Sequence, residues 1–142
     1  MIQRLQTLFF FLAAACFGAE FALPFATSTE AAPGLFSDMR YSVLDHGVLI
    51  ALAALGGLLC IIAIFMYRHR SNQIKTGYVI TTLAILLPIV AFLLTMSDPI
   101  NENLIQDGVG AYLPIGMILF SFLAVHYTKK DDKLVKSMDR LR

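Results

Sequence analysis

The sequence predicts an all-α membrane protein, a four-transmembrane-helix bundle with a short amphipathic C-terminal helix in the cytoplasm. Three observations predict it. The residues are 58% hydrophobic and only 15% charged, against about 25% charged in a soluble domain. The charges are segregated: apolar runs of about 20 residues, the length that crosses the hydrocarbon core as a helix, alternate with short polar connections. Ten of the eleven Lys and Arg residues fall on one side of that alternation. With 142 residues the chain makes one membrane domain, residues 1–142.

The first run is Thr7–Ala26, interrupted by Glu20. The second, Gly47–Tyr67, and the third, Gly77–Met96, carry no charge. The fourth, Gly108–Thr128, is broken only by His126. Lipid offers no hydrogen bonds to the backbone, so each run is expected to be a helix. Three connections follow: Thr27–His46, Arg68–Thr76 and Ser97–Asp107. Arg4, the cluster Arg68, Arg70 and Lys75, and six basic residues after the fourth run share a side, and Arg40 alone lies opposite. The excess of basic residues on cytoplasmic loops places both termini and the middle connection in the cytoplasm. Tyr67, Tyr78 and Tyr127 then form an aromatic belt at the inner interface, with Tyr41 and Tyr112 near the outer one.

The first run also competes with a leader-peptide reading: Arg4, an apolar stretch, then small residues around Ala13-Ala14-Ala15-Cys16. Its removal would leave three spans and upset the arrangement of basic ends, so it is expected to be a retained helix. Pro88 lies midway along the third run, where a lost backbone bond kinks a helix, and Pro24 and Pro114 lie near outer ends. The stripes Ala14/Ala15/Gly18/Ala22 and Ala53/Ala54/Gly56/Gly57 suit close helix approach within the bundle. The first outer loop, with Leu35, Phe36, Met39 and Tyr41, is apolar for a solvated loop and is expected to lie on the membrane or over the helices. Asp98-Pro99 has the form of a helix start.

Chemistry is sparse. Glu20 is the one acid within a span, roughly 8 to 9 Å inside the outer end of its helix, and an intramembrane acid is a candidate functional residue. On a helical wheel it shares a face with Ala13, Cys16, Phe17 and Pro24, opposite the stripe Ala14, Gly18 and Ala22. If that stripe packs inward, Glu20 faces lipid or a partner. The bland alternative is a protonated or snorkelling carboxyl bonded to a neighbour. Cys16 and Cys60 lack zinc, redox or haem spacing and read as small buried hydrophobes. His46, His69 and His126 form no constellation with other ligands, so neither a metal nor a cofactor is expected. No nucleophile motif or phosphate-binding loop is present, and neither Gly56-Gly57 nor Gly108-Val109-Gly110 has the flanking strand and helix of one. Catalysis and nucleic-acid binding are not expected.

The tail, Lys129–Arg142, is the most patterned polar segment. Leu134, Met138 and Leu141 recur at i, i+4 and i+7, one stripe of a helix, among Lys133, Lys136, Arg140 and Arg142. Such a helix rests on anionic headgroups or docks on another protein. The acids Asp131, Asp132 and Asp139 favour the second.

The opening Met1-Ile2-Gln3-Arg4-Leu5-Gln6-Thr7, the loop segment Asn72-Gln73-Ile74-Lys75 and the ending Asp132-Lys133-Leu134-Val135-Lys136-Ser137-Met138-Asp139-Arg140-Leu141-Arg142 carry a resemblance. On them the chain resembles a Bacteroidetes-type family of small four-span membrane proteins of unknown function. The resemblance implies the same topology and a bacterial inner membrane, and it implies no activity. The expected role is a non-catalytic accessory or structural subunit of a larger membrane complex. It would touch the bilayer and other membrane subunits through Glu20, Leu134, Met138, Arg140 and Leu141. The alternative is a small proton-coupled transporter or channel component using Glu20. That alternative requires further polar groups facing Glu20, for which the spans offer Thr81, Thr82, Thr95 and Ser121.

Overall fold

The computed structural model describes residues 5–31, 33–97 and 104–139. Four helices dominate them: α1 Leu5–Ala19, α2 Gly47–Phe65, α3 Arg70–Ser97 and α4 Leu113–Asp139. Three short strands, β1 Ala26–Ser28, β2 Arg40–Tyr41 and β3 Ile105–Asp107, lie between them in the chain. The helices form a ring in which α1 packs on α2 and α4, and α3 packs on the same two neighbours.

What holds the ring together is a seam on each helix whose buried residues are spaced alternately four and three apart. On α1 the seam is Gln6, Phe10, Ala13 and Phe17; on α2 it is Leu49, Ala53, Gly56, Cys60 and Ala63. Gln73, Gly77, Ile80, Ala84, Leu87 and Ala91 continue the rule on α3, as do Met117, Ser121, Ala124 and Thr128 on α4. A repeat of 3.5 residues keeps one stripe facing the neighbours, the packing of left-handed bundles. Close approach depends on two glycines of these seams. A Cβ on Gly56 would run into the Phe17 ring, and one on Gly77 into Val125. Outward-facing positions such as Phe11, Leu58, Phe65, Phe92 and Phe122 are exposed and apolar, as a surface solvated by lipid requires.

Several boundaries differ from expectation. The first span stops at Ala19 instead of Ala26, because Glu20 begins a tight turn and Pro24 has no N–H to continue a helix. Its 15 residues reach only about 22 Å, short of the roughly 30 Å hydrocarbon core. The third helix begins seven residues early, at Arg70, so the middle connection shrinks to the tight 3-10 turn Met66–Arg68 and His69. Hydropathy ends that span where the charges begin, but a helix runs on into water at no cost to its backbone bonds. The same holds for α4, which continues unbroken through the tail; the separate C-terminal helix is its last turns. The helix start at Asp98-Pro99 lies outside the described residues.

The connections between α1 and α2 and between α3 and α4 form a small sheet of order β2-β1-β3, antiparallel throughout. This cap finishes what α1 leaves short. The Gly108 N–H donates to the Phe25 carbonyl at 2.8 Å and the Gly110 N–H to the Pro24 carbonyl at 2.9 Å. Irregular backbone near membrane depth is tolerated where protein satisfies it in this way. Phe25, Phe36 and Tyr41 cluster beneath the sheet. Tyr41, expected at the outer interface, is instead buried and donates its hydroxyl to the Ala91 carbonyl at 3.1 Å, six residues before α3 ends. Burial pushes its phenol up to about 12. Tyr67, Tyr78 and Tyr112 are exposed, as expected of a belt, while Tyr127 stacks on Phe9 with ring centroids 5.3 Å apart.

Candidate functional site

Glu20 follows the last residue of α1, its N–H donating to the Cys16 carbonyl at 3.3 Å. It occupies the next place of the seam after Phe17, and the seam carries it inward. The side chain is 0% exposed, and neither carboxyl oxygen has a hydrogen-bond partner among the described residues. The expected orientation is therefore reversed: Gly18 and Ala22 of the small stripe are exposed while Glu20 faces the core. Small size did not decide which face packs; the spacing of Phe10, Ala13 and Phe17 did. In this arrangement Glu20 presents no surface to a partner. An ionised carboxylate here would be an unpaired charge in the core, a cost of several kcal/mol, and the carbonyl end of α1 adds to it.

Other polar groups lie in the same seams. At the opposite end of the bundle Gln73 is fully buried; its Nε2 donates to the Ala63 carbonyl at 2.9 Å, while its Oε1 is unpartnered. Gln6, the first buried residue of the α1 seam, also has an Oε1 without a partner among the described residues. Between the two ends Thr81 donates to Gly77 O at 2.9 Å and pairs with buried Ser121 at 3.1 Å. Of the four hydroxyls expected opposite Glu20, these two are drawn together. Thr82 returns its hydrogen to its own helix, and Thr95 does the same while its hydroxyl also meets Tyr41. The glutamines were missed because both stand at the polar margins of spans. The signal that finds them is the alternation of three and four, which links Gln6 to Phe10 and Gln73 to Gly77.

The tail is the second candidate site. Arg70 Nε donates to Asp131 Oδ2 at 2.8 Å, tying the start of α3 to α4 where it leaves the bundle. Lys129 meets the Tyr78 hydroxyl, and Lys136 pairs with Asp132 one turn away at 2.6 Å. Beyond these, Leu134 is 55% and Met138 63% exposed on one side of the helix. Arg140 and Leu141, also expected there, lie outside the described residues.

Three of the four helices are long and apolar enough to cross a membrane, which defines the class as a small multi-pass membrane protein. The chain belongs to the family described as Domain of unknown function (DUF4293), which it matches over residues 2–141. No curated protein and no solved structure matches it.

Proposed function

We propose that the chain is a non-catalytic accessory subunit of a larger complex in a bacterial inner membrane, with both termini in the cytoplasm. The observation that carries the reading is the projecting end of α4. It leaves the bundle as a continuous helix, held at its base by Arg70–Asp131, and shows Leu134 and Met138 to solvent. A helix gains nothing by exposing that stripe unless something covers it. A headgroup surface would be attracted by lysines, at about 1 kcal/mol each, and repelled by the acids among them. Lys136 is neutralised by Asp132, which leaves the apolar stripe as the stronger feature and favours a protein partner. The gathering of Arg68, Arg70 and the α4 extension at one end of the bundle supports a single cytoplasmic docking face.

Purification in mild detergent from native membranes tests the reading. The wild-type chain is expected to bring partner subunits with it. The double variant Leu134→Ser/Met138→Ser is expected to insert normally and to purify alone. Retention of every partner by that variant leaves docking without support and points to a helix resting on headgroups.

A further inference from the structure

Among the described residues the buried seams hold four acceptor oxygens without donors: both carboxyl oxygens of Glu20 at the outer end, and Gln73 Oε1 and Gln6 Oε1 at the inner end. Buried polar atoms are seldom left unbonded, and water commonly supplies the partner. Their placement follows one helix face. The Phe10 ring comes within 3.4 Å of where a Gly77 Cβ would stand, and α1 and α3 run the same way. Ten residues further on, Glu20 and Leu87 therefore stand at about the same height. Next to Leu87 is Pro88, inside the helix, which brings no N–H to the Ala84 carbonyl four residues before it. Below come Thr81, bonded to Ser121, and then Gln73. The inward face of α3 thus carries polar atoms at intervals of about 9 and 12 Å from the level of Glu20 to the inner end.

From this alignment we infer that the centre of the bundle is a hydrated proton path, with Glu20 as its outer proton-binding site. The carboxylate takes a proton from water on the outer side and becomes the neutral acid, the form its buried surroundings favour. It then passes the proton to water held by the Ala84 carbonyl and the Thr81–Ser121 pair, and the carboxylate is restored. Gln73 and Gln6 offer their acceptor oxygens to the last waters before the cytoplasm. The titratable side chains on the same inward face are few. Cys16 lies one turn below Glu20 on α1, and Cys60 lies in the α2 seam. Along α3 between Lys75 and Ser97 there is only Tyr78, which faces outward, and α4 from Leu113 to Val125 has none. The cap turns its buried Tyr41 toward Ala91. Among the described residues no Lys, Arg or His forms an ion pair with Glu20, so it exchanges a proton with water rather than with a counter-ion. The inference does not depend on the docking of the tail, because it concerns the chain alone.

The full chain, purified and reconstituted into liposomes containing a pH-sensitive dye, tests it under a potassium diffusion potential. Wild-type vesicles are expected to change internal pH faster than protein-free vesicles. Glu20→Gln, which keeps the shape and loses the titrating proton, is expected to fall to the protein-free rate. Glu20→Asp should retain part of the flux. A wild-type rate equal to that of protein-free vesicles, or a Glu20→Gln rate equal to wild type, overturns the proposal.

Discussion

Gly108→Val is expected to unfasten the cap and to destabilise the folded chain by roughly 3 kcal/mol, the upper end of ordinary overpacking. A Cβ at Gly108 would run into the Pro24 carbonyl, and one at Gly110 would come within 2.7 Å of the same oxygen. Side chains give way by changing rotamer, but here the obstacle is backbone. That backbone is held by Gly108 and Gly110 themselves through their N–H bonds to Phe25 and Pro24. The substitution therefore separates β3 from β1 and leaves the carbonyls that follow α1 without donors. Unfolding in detergent, together with protease cleavage between Thr27 and His46, measures the effect. Unchanged stability and resistance to cleavage in the variant would show that the glycines do not fasten the cap.

Glu20→Leu is expected to do the opposite and stabilise the bundle, by about 1 to 3 kcal/mol, the cost of leaving a buried polar group unsatisfied. Leucine has a similar volume and suits a seam that already holds Phe10, Ala13 and Phe17. A carboxyl kept at such a cost is typical of residues retained for what they do, since active and transport sites hold strain that stability alone would remove. A thermal unfolding midpoint below that of wild type would mean that Glu20 has a hydrogen-bond partner essential to the fold.

The membrane class and the length of α2 were legible in the sequence because both follow from apolar run length. The start of α2 was legible to the residue, with His46 Nδ1 accepting the Val48 N–H at 3.3 Å where the connection from α1 ends. Which face of each helix packs was not legible from hydropathy, since lipid-facing and core-facing residues are both apolar. On α1 this inverted the reading of Glu20: Gly18 and Ala22 are small, but they sit outside the alternation that Phe10, Ala13 and Phe17 define. The cap was missed for a different reason. β1 and β2 are three and two residues long, too short to show alternation, and β1 also pairs with β3, next to Gly108 and Gly110 some eighty residues later. By run length alone Gly108 opens the fourth apolar run, and the glycine pair has no local pattern that points to a distant strand. The tail stripe was legible because water, unlike lipid, makes an apolar face stand out.

Both the docking of the tail and the direction of proton entry rest on the topology, and thiol accessibility tests it most directly. Single cysteines at Ser37, Ser71 and Ser137, all exposed positions, are introduced into a chain whose Cys16 and Cys60 are replaced by alanine. In intact spheroplasts an impermeant thiol reagent is expected to label position 37 and to reach 71 and 137 only after permeabilisation. Labelling of 71 and 137 in intact cells, with 37 protected, would contradict the account.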